Sequence, residues 1–257
     1  MYILRTAHCC DNELLTQFDN IVSKGLSTIL NCELSEDEIP QASLPVTTGG
    51  LGFRISSSLA PSALLASAAG TEELQAIILA QVEERLKTEV PDFTRNRMLE
   101  RWKAISGSPL PPDEVCGKQK CWERQITEQS FSMLLANCTS QIDKARIVAS
   151  KAAPTDDCLN APPITFIGLR MCNETIRVAV SLRHGAILRE PHQCNCGALV
   201  DARGLHGLSC RRSAGKHARR ILLNDTIWRV LNKVGVQSAK ELTGLLRSDG
   251  KRPDGVT

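Results

Sequence analysis

Apolar residues recur along most of this chain at intervals of three and four, the spacing that gathers them on one side of an α-helix. Leu14, Leu15, Phe18, Ile21, Val22, Leu26, Ile29 and Leu30 predict an amphipathic helix over residues 14–30. Residues 57–70, rich in Ala, Ser and Leu, predict a closely packed helix interrupted near Pro61. Over residues 71–90, Thr71 can cap, Glu72 and Glu73 sit in the first turn, and Leu74, Ile77, Ile78, Val82 and Leu86 line one face before Pro91 ends the run. A helix over 94–106 stops at Gly107, and a longer one over 119–149, broken near Asn137, has Trp122, Ile126, Met133, Leu134 and Ile142 as its buried side. Asn173 caps a short helix bearing Ile176 and Val180 that closes at His184 and Gly185. A last helix, over 214–234 and ended by Gly235, offers Ile221, Leu222, Ile227, Trp228, Val230 and Leu231 to a core. Residues 236–246 read as a strand and turn, and the apolar Val256 after a further turn reads as the start of a strand. The pattern is that of a mainly α protein.

Between these runs the chain is punctuated. Pro109, Pro111 and Pro112 make one stiff linker, and residues 154–163 make a second. The segment Leu44-Pro45-Val46-Thr47-Thr48-Gly49-Gly50-Leu51-Gly52-Phe53-Arg54 has the glycines of a phosphate loop but lacks its Lys-Ser/Thr pair and a preceding strand, so it reads as a turn packed into a helical domain.

Composition narrows the function classes. At 257 residues and 42% hydrophobic, the chain can bury a sizeable core, as one large domain or two to three small ones. No apolar run approaches the roughly 20 residues of a membrane span, and the first residues lack the apolar core of a signal peptide. That predicts an intracellular protein, nuclear or cytoplasmic, with reduced thiols and no membrane partner. A net charge of +3 is too mild to mark a polyanion binder by itself, and 4% aromatic residues argue against a module that stacks many bases.

Of the 11 cysteines, three stand with a histidine in a pattern of their own: Cys194, Cys196, His206 and Cys210, spaced C-x-C-x9-H-x3-C. Three thiolates and an imidazole make a complete tetrahedral donor set for Zn2+, and a closed set of four leaves no position for a catalytic water, so such a site is structural. Buried thiols or a disulfide are the alternatives. The supplied histidine and the missing secretory signal favour zinc over both. Gly197, Gly204 and Gly207 would let a short chain turn tightly enough for the four side chains to meet. Cys116 and Cys121 have no such neighbours in sequence.

Downstream, residues 202–224 contain no acid but carry Arg203, Arg211, Arg212, Lys216, Arg219 and Arg220. A zinc knuckle that feeds a basic helix predicts a polyanion partner, DNA or RNA; on its own, the basic run would read as a solvated face.

Several segments occur in a telling order: Leu4-Arg5-Thr6-Ala7, the Leu44 to Arg54 turn, Arg177-Val178-Ala179-Val180-Ser181-Leu182-Arg183, the knuckle, and Lys251-Arg252-Pro253-Asp254. Together they resemble the C-terminal half of non-LTR retrotransposon polyproteins that carry a restriction-like endonuclease after the reverse transcriptase. The resemblance implies a helical thumb-like region over 1–90, a helical linker region over 91–190, the CCHC knuckle over 191–213, and the start of an α/β nuclease over 214–257. It also implies that Asp254 is the first metal-binding aspartate of that nuclease, with Mg2+ as its ion only if the site were complete. The polymerase aspartates and the remaining nuclease acid and lysine have no counterpart here, so the expectation is of zinc and nucleic-acid binding without polymerisation or cleavage. Pro253-Asp254-Gly255 is equally a turn signature. The competing expectation is a zinc-stabilised helical adaptor for protein partners, its Ala- and Leu-rich helices forming the contact surface.

Overall fold

The computed structural model describes residues 2–7, 9, 11–80, 92–153, 155, 157–167, 169–210, 212, 214–240 and 255–256. These are mainly helical, and they fall into two compact units, Met1–Leu188 and Arg189–Thr257.

The first unit is built from α1 (Tyr2–Thr6), α2 (Glu13–Leu30), α3 (Glu38–Ser43), α4 (Ser56–Gly70), α5 (Glu72–Ala80), α6 (Asp92–Ser106), α7 (Gln119–Asn137), α8 (Gln141–Lys151), α9 (Asp157–Asn160) and α10 (Asn173–His184). Its centre is α4, which packs against α1, α2, α6 and α7. Ala60, Ala63 and Ala66 let those neighbours approach closely, and Leu4, Leu65, Met98, Trp102 and Trp122 complete the cluster. Trp102 and Trp122 meet edge to face with ring centroids 4.9 Å apart. Each buried indole N–H is satisfied: Trp102 donates to the Trp122 carbonyl at 3.3 Å and Trp122 to the Cys116 carbonyl at 2.6 Å. The 1–90 and 91–190 regions read from the sequence therefore share this core.

Helix α4 runs through Pro61 without the interruption its sequence suggests. Proline removes only its own bond to the Ser57 carbonyl, and the helix start is anchored from outside: both carboxylate oxygens of Asp19, on α2, accept from the backbone N–H groups of Ser56 and Ser57, at 2.7 and 3.0 Å. The break expected near Asn137 falls between α7 and α8, with the Ser140 hydroxyl accepting from Asp143 N–H to start the new helix.

Several predicted inner faces are corrected. On α2 the eight apolar positions span two faces. Leu15, Leu26 and Leu30 pack inward, while Leu14, Phe18, Ile21 and Ile29 stay exposed. Of the side expected on residues 119–149, Trp122 is buried and Ile126 and Leu134 pack inward, but Met133 and Ile142 are exposed; Phe131 and Ile147, not among those expected, are buried with Leu44. Leu74, Ile77 and Ile78 of α5 are exposed, and Val82 and Leu86 lie outside the described residues. Cys172, not Asn173, occupies the N-cap of α10.

The turn after α3 is held by what a side chain would strike. A Cβ on Gly50 would lie 2.0 Å from the Leu44 carbonyl oxygen, and one on Gly49, at φ +95, 2.3 Å from Ser150 Oγ. Around it runs a polar network: Arg146 donates to the Gln41 side-chain oxygen and the Arg183 carbonyl, both at 2.7 Å, and Arg183 donates to the carbonyls of Val46 and Ser150, both at 3.0 Å. His184 is fully buried beside it, its Nδ1–H donating to the Val180 carbonyl at 3.0 Å and its Nε2 without a partner.

Burial drives His184 down from 6.5 to about 4, the Val180 bond opposes this, and the positive Arg146 and Arg183 add to it. The folded state thus prefers the neutral ring. The stabilisation is complete above the unfolded value near 6.5 and is lost as pH falls toward 4, about 3 kcal/mol at most. Urea denaturation should show a stability loss between pH 6.5 and 4 that is smaller in His184→Gln. Equal pH dependence in both proteins would contradict the assignment.

Candidate metal centre

The second unit begins with a hairpin of β1 (His192–Gln193) and β2 (Leu199–Val200), antiparallel with His192 opposite Val200. Its turn is closed by Cys194 N–H donating to the Ala198 carbonyl at 2.9 Å and Gly197 N–H to the Cys194 carbonyl at 2.8 Å, with Gly197 at φ +88. The reversal brings Cys194 and Cys196 to the hairpin tip. The next bend is made by Asp201, whose carbonyl accepts from Gly204 N–H at 2.9 Å and whose carboxylate accepts from Leu205 N–H at 3.0 Å. There α11 (His206–Ser209) starts, and Cys210 N–H donates back to the His206 carbonyl at 2.9 Å. One turn of helix puts His206 and Cys210 on the same side. Gly204, at φ +70, makes the bend as expected. Gly207 does not: it lies in α11, and a Cβ there would meet open space.

The four predicted ligands converge. Cys194 Sγ lies 3.6 Å from Cys210 Sγ, and Cys196 Sγ lies 3.2 Å from His206 Nε2. All four donor atoms sit within 4.8 Å of one another. Bonds of about 2.3 Å to sulfur and 2.0–2.1 Å to nitrogen would separate the donors of a tetrahedron by roughly 3.5–3.8 Å, so the set is compatible with zinc. The cysteines are free thiols and not a disulfide pair. The Cys194 thiol is lowered from its usual value, chiefly by the backbone N–H of Cys196. For Cys210 the Arg212 N–H pulls down, but burial and the neighbouring thiols outweigh it and the net shift is upward. The two thiols thus deprotonate unequally, with Cys194 the readier anion.

Helix α12 (Ala214–Lys233) follows, with β3 (Ala239–Lys240) paired antiparallel to β4 (Gly255–Val256). Val256 is thus in a strand, as the sequence suggested. Trp228 of α12 donates to the Ser238 carbonyl at 2.9 Å. The core expected on α12 differs: Trp228 and Leu231 are half-buried, but Ile221, Leu222, Ile227 and Val230 are exposed. Among the described elements α12 packs mainly on the two-residue β3, too little surface to cover that row.

The basic candidates fare unevenly. Arg212 is exposed and donates to the Asn195 carbonyl at 2.7 Å, which ties the start of the basic segment to the first ligand turn. Arg203 is half-buried and engaged. Lys216, Arg219 and Arg220 fall at i, i+3 and i+4 on α12, one side of the helix by register. Arg211 and Asp254 lie outside the described residues. Asp201 and the Asn195 carbonyl were missed in the sequence. An aspartate shortly before a glycine and a helix start is the signal that could have found Asp201.

No described helix is long and apolar enough to cross a membrane. No family model, curated protein or solved structure matches the chain.

With zinc supplied, X-ray absorption at the zinc edge should show three sulfur ligands at about 2.3 Å and one nitrogen at about 2.0 Å. Cys196→Ala should lose one sulfur and much of the affinity. An oxygen-dominated shell in the unmodified protein would contradict the assignment.

Proposed function

We propose that this protein binds DNA or RNA through a zinc-held knuckle and the basic start of α12, and that it is a fragment of a non-LTR retrotransposon reverse transcriptase and endonuclease protein. The observation that carries the reading is the convergence of Cys194, Cys196, His206 and Cys210 immediately before a basic helix. Zinc, when bound, would cross-link the hairpin to α11 and neutralise the thiolates; with all four positions filled by protein it would activate no water. The chain's own residues do the binding. Lys216, Arg219 and Arg220 share one side of α12, and the exposed guanidinium of Arg212, though it holds the Asn195 carbonyl, has further N–H donors for a phosphate oxygen. We assign no cleavage step: Asp254, the nuclease carboxylate the resemblance offers, lies outside the described residues.

The rival reading, an adaptor for protein partners, draws support from the exposed row of Leu223, Ile227, Val230 and Val234 at i, i+4, i+7 and i+11.

Phosphate contacts release counterions, so affinity for a labelled oligonucleotide should fall steeply with salt and depend little on sequence. Replacing Arg219 and Arg220 together by Ala should flatten the log–log salt slope by about two. Fluorescence anisotropy across a salt series reads this directly. A slope unchanged in the double variant, or binding indifferent to salt, would favour the adaptor.

A further inference from the structure

In the first unit, the segment after α3 leaves a cleft against α4, α6 and α7 that the knuckle reading does not use. Its volume is about 340 Å³, at the small end of the roughly 300–1,000 Å³ of ligand sites. Leu44, Val46, Ile55, Leu59, Ile105 and Ile126 give it aliphatic walls. Two half-buried serines, Ser58 and Ser130, line it, and their hydroxyls make no hydrogen bond to any described residue. At the cleft Arg54 Nη1 donates to Glu123 Oε2 at 2.8 Å, and the other Glu123 oxygen accepts from the Gln119 amide. The carboxylate is therefore engaged at both oxygens. The guanidinium is about half exposed and uses one of its five donors.

We propose that this cleft is a mononucleotide subsite: one flat, hydrogen-bonding heteroaromatic ring between the aliphatic walls, with its phosphate on Arg54. Three features select that chemistry together. An acyl chain would strip water from Ser58 and Ser130 and offer their hydroxyls no hydrogen-bond partner in return. A neutral apolar side chain would leave the spare Arg54 donors unused. A sugar alone would waste six aliphatic walls. A nucleobase edge pairs with the hydroxyls, its faces meet the aliphatic residues, and its phosphate takes the free guanidinium N–H groups. The size admits one nucleotide and no stack of bases, in keeping with a chain only 4% aromatic.

The inference deepens the polynucleotide reading and rests on it for the ligand's usual source, an unpaired nucleotide of a bound strand; a free mononucleotide has the same chemistry. The test is methyl NMR of the full chain titrated separately with AMP, GMP, CMP and UMP, with the matching nucleosides, and with inorganic phosphate. At least one mononucleotide should shift the Ile105 and Ile126 methyl signals. Its nucleoside should bind about tenfold more weakly, the weight of one charge-assisted contact. Arg54→Gln should erase that difference, and Ser130→Met, which fills the cleft, should abolish both; Ser58→Leu serves if Ser130→Met does not fold by circular dichroism. Silence at Ile105 and Ile126 with all four nucleotides, equal binding of phosphate alone, or indifference to Arg54→Gln would overturn the proposal. Oligonucleotides are titrated in parallel, intact and with one abasic position. Strand binding with a silent cleft sinks the subsite and leaves the proposed function standing. Mononucleotide binding without strand binding supports the subsite, makes free nucleotides its ligand and sinks the polynucleotide reading. Loss of both sinks both.

Discussion

Three sulfur atoms and an imidazole nitrogen within 4.8 Å of one another are a demanding arrangement for a chain to hold with no cation among them. Thiolates at that range repel, and protonated thiols make only weak hydrogen bonds. Among the described residues of this unit the buried hydrophobics are Val200 and Cys210, and the hydrophobic clusters of the described residues lie in the first unit. Small folds with so little core commonly depend on a metal or a disulfide. The cluster of three thiols and a histidine is compatible with a metal as that cross-link. On this account the hairpin, the Asp201 bend and α11 are the scaffold of one coordination sphere, and Arg212, bonded to the Asn195 carbonyl, carries that order into the start of the basic segment.

The first unit stands on the opposite principle. Trp102, with no exposed surface, and its edge-to-face partner Trp122 anchor a core in which small residues of α4 let four helices close in. Polar groups inside it do positional work: Asp19 starts α4 from a neighbouring helix, and Arg146, Arg183 and Gln41 fix the Gly49-Gly50 turn, whose flanking residues Leu44, Val46 and Gly52 line the cleft. His184 is the one buried ring nitrogen left without a partner among these groups, which makes the region sensitive to acid.

Much of this was legible in the residues. Helix limits were clear where caps and glycines spoke, as at Gly107 and Gly185, both at positive φ. The ligand set was legible because spacing and donor chemistry are local. Three things were not. Pro61 reads as a breaker, and only the tertiary contact from Asp19 shows what secures the start of that helix. The α2 stripe is wide enough to serve two faces, so periodicity could not say that Phe18 stays outside and Leu30 goes in. Arg54 and Glu123 are 69 residues apart, and no pattern along the chain joins them.

Whether zinc orders the second unit for polynucleotide binding, as proposed above, is decided by chelation. Anisotropy of a labelled oligonucleotide should be measured on the zinc-loaded chain, after removal of the metal, and after its return, with circular dichroism following the first unit. Strand affinity should fall on removal and recover with zinc, while most of the helical signal, carried by the first unit, persists. Strand affinity that is unchanged by complete loss of zinc would contradict the proposal.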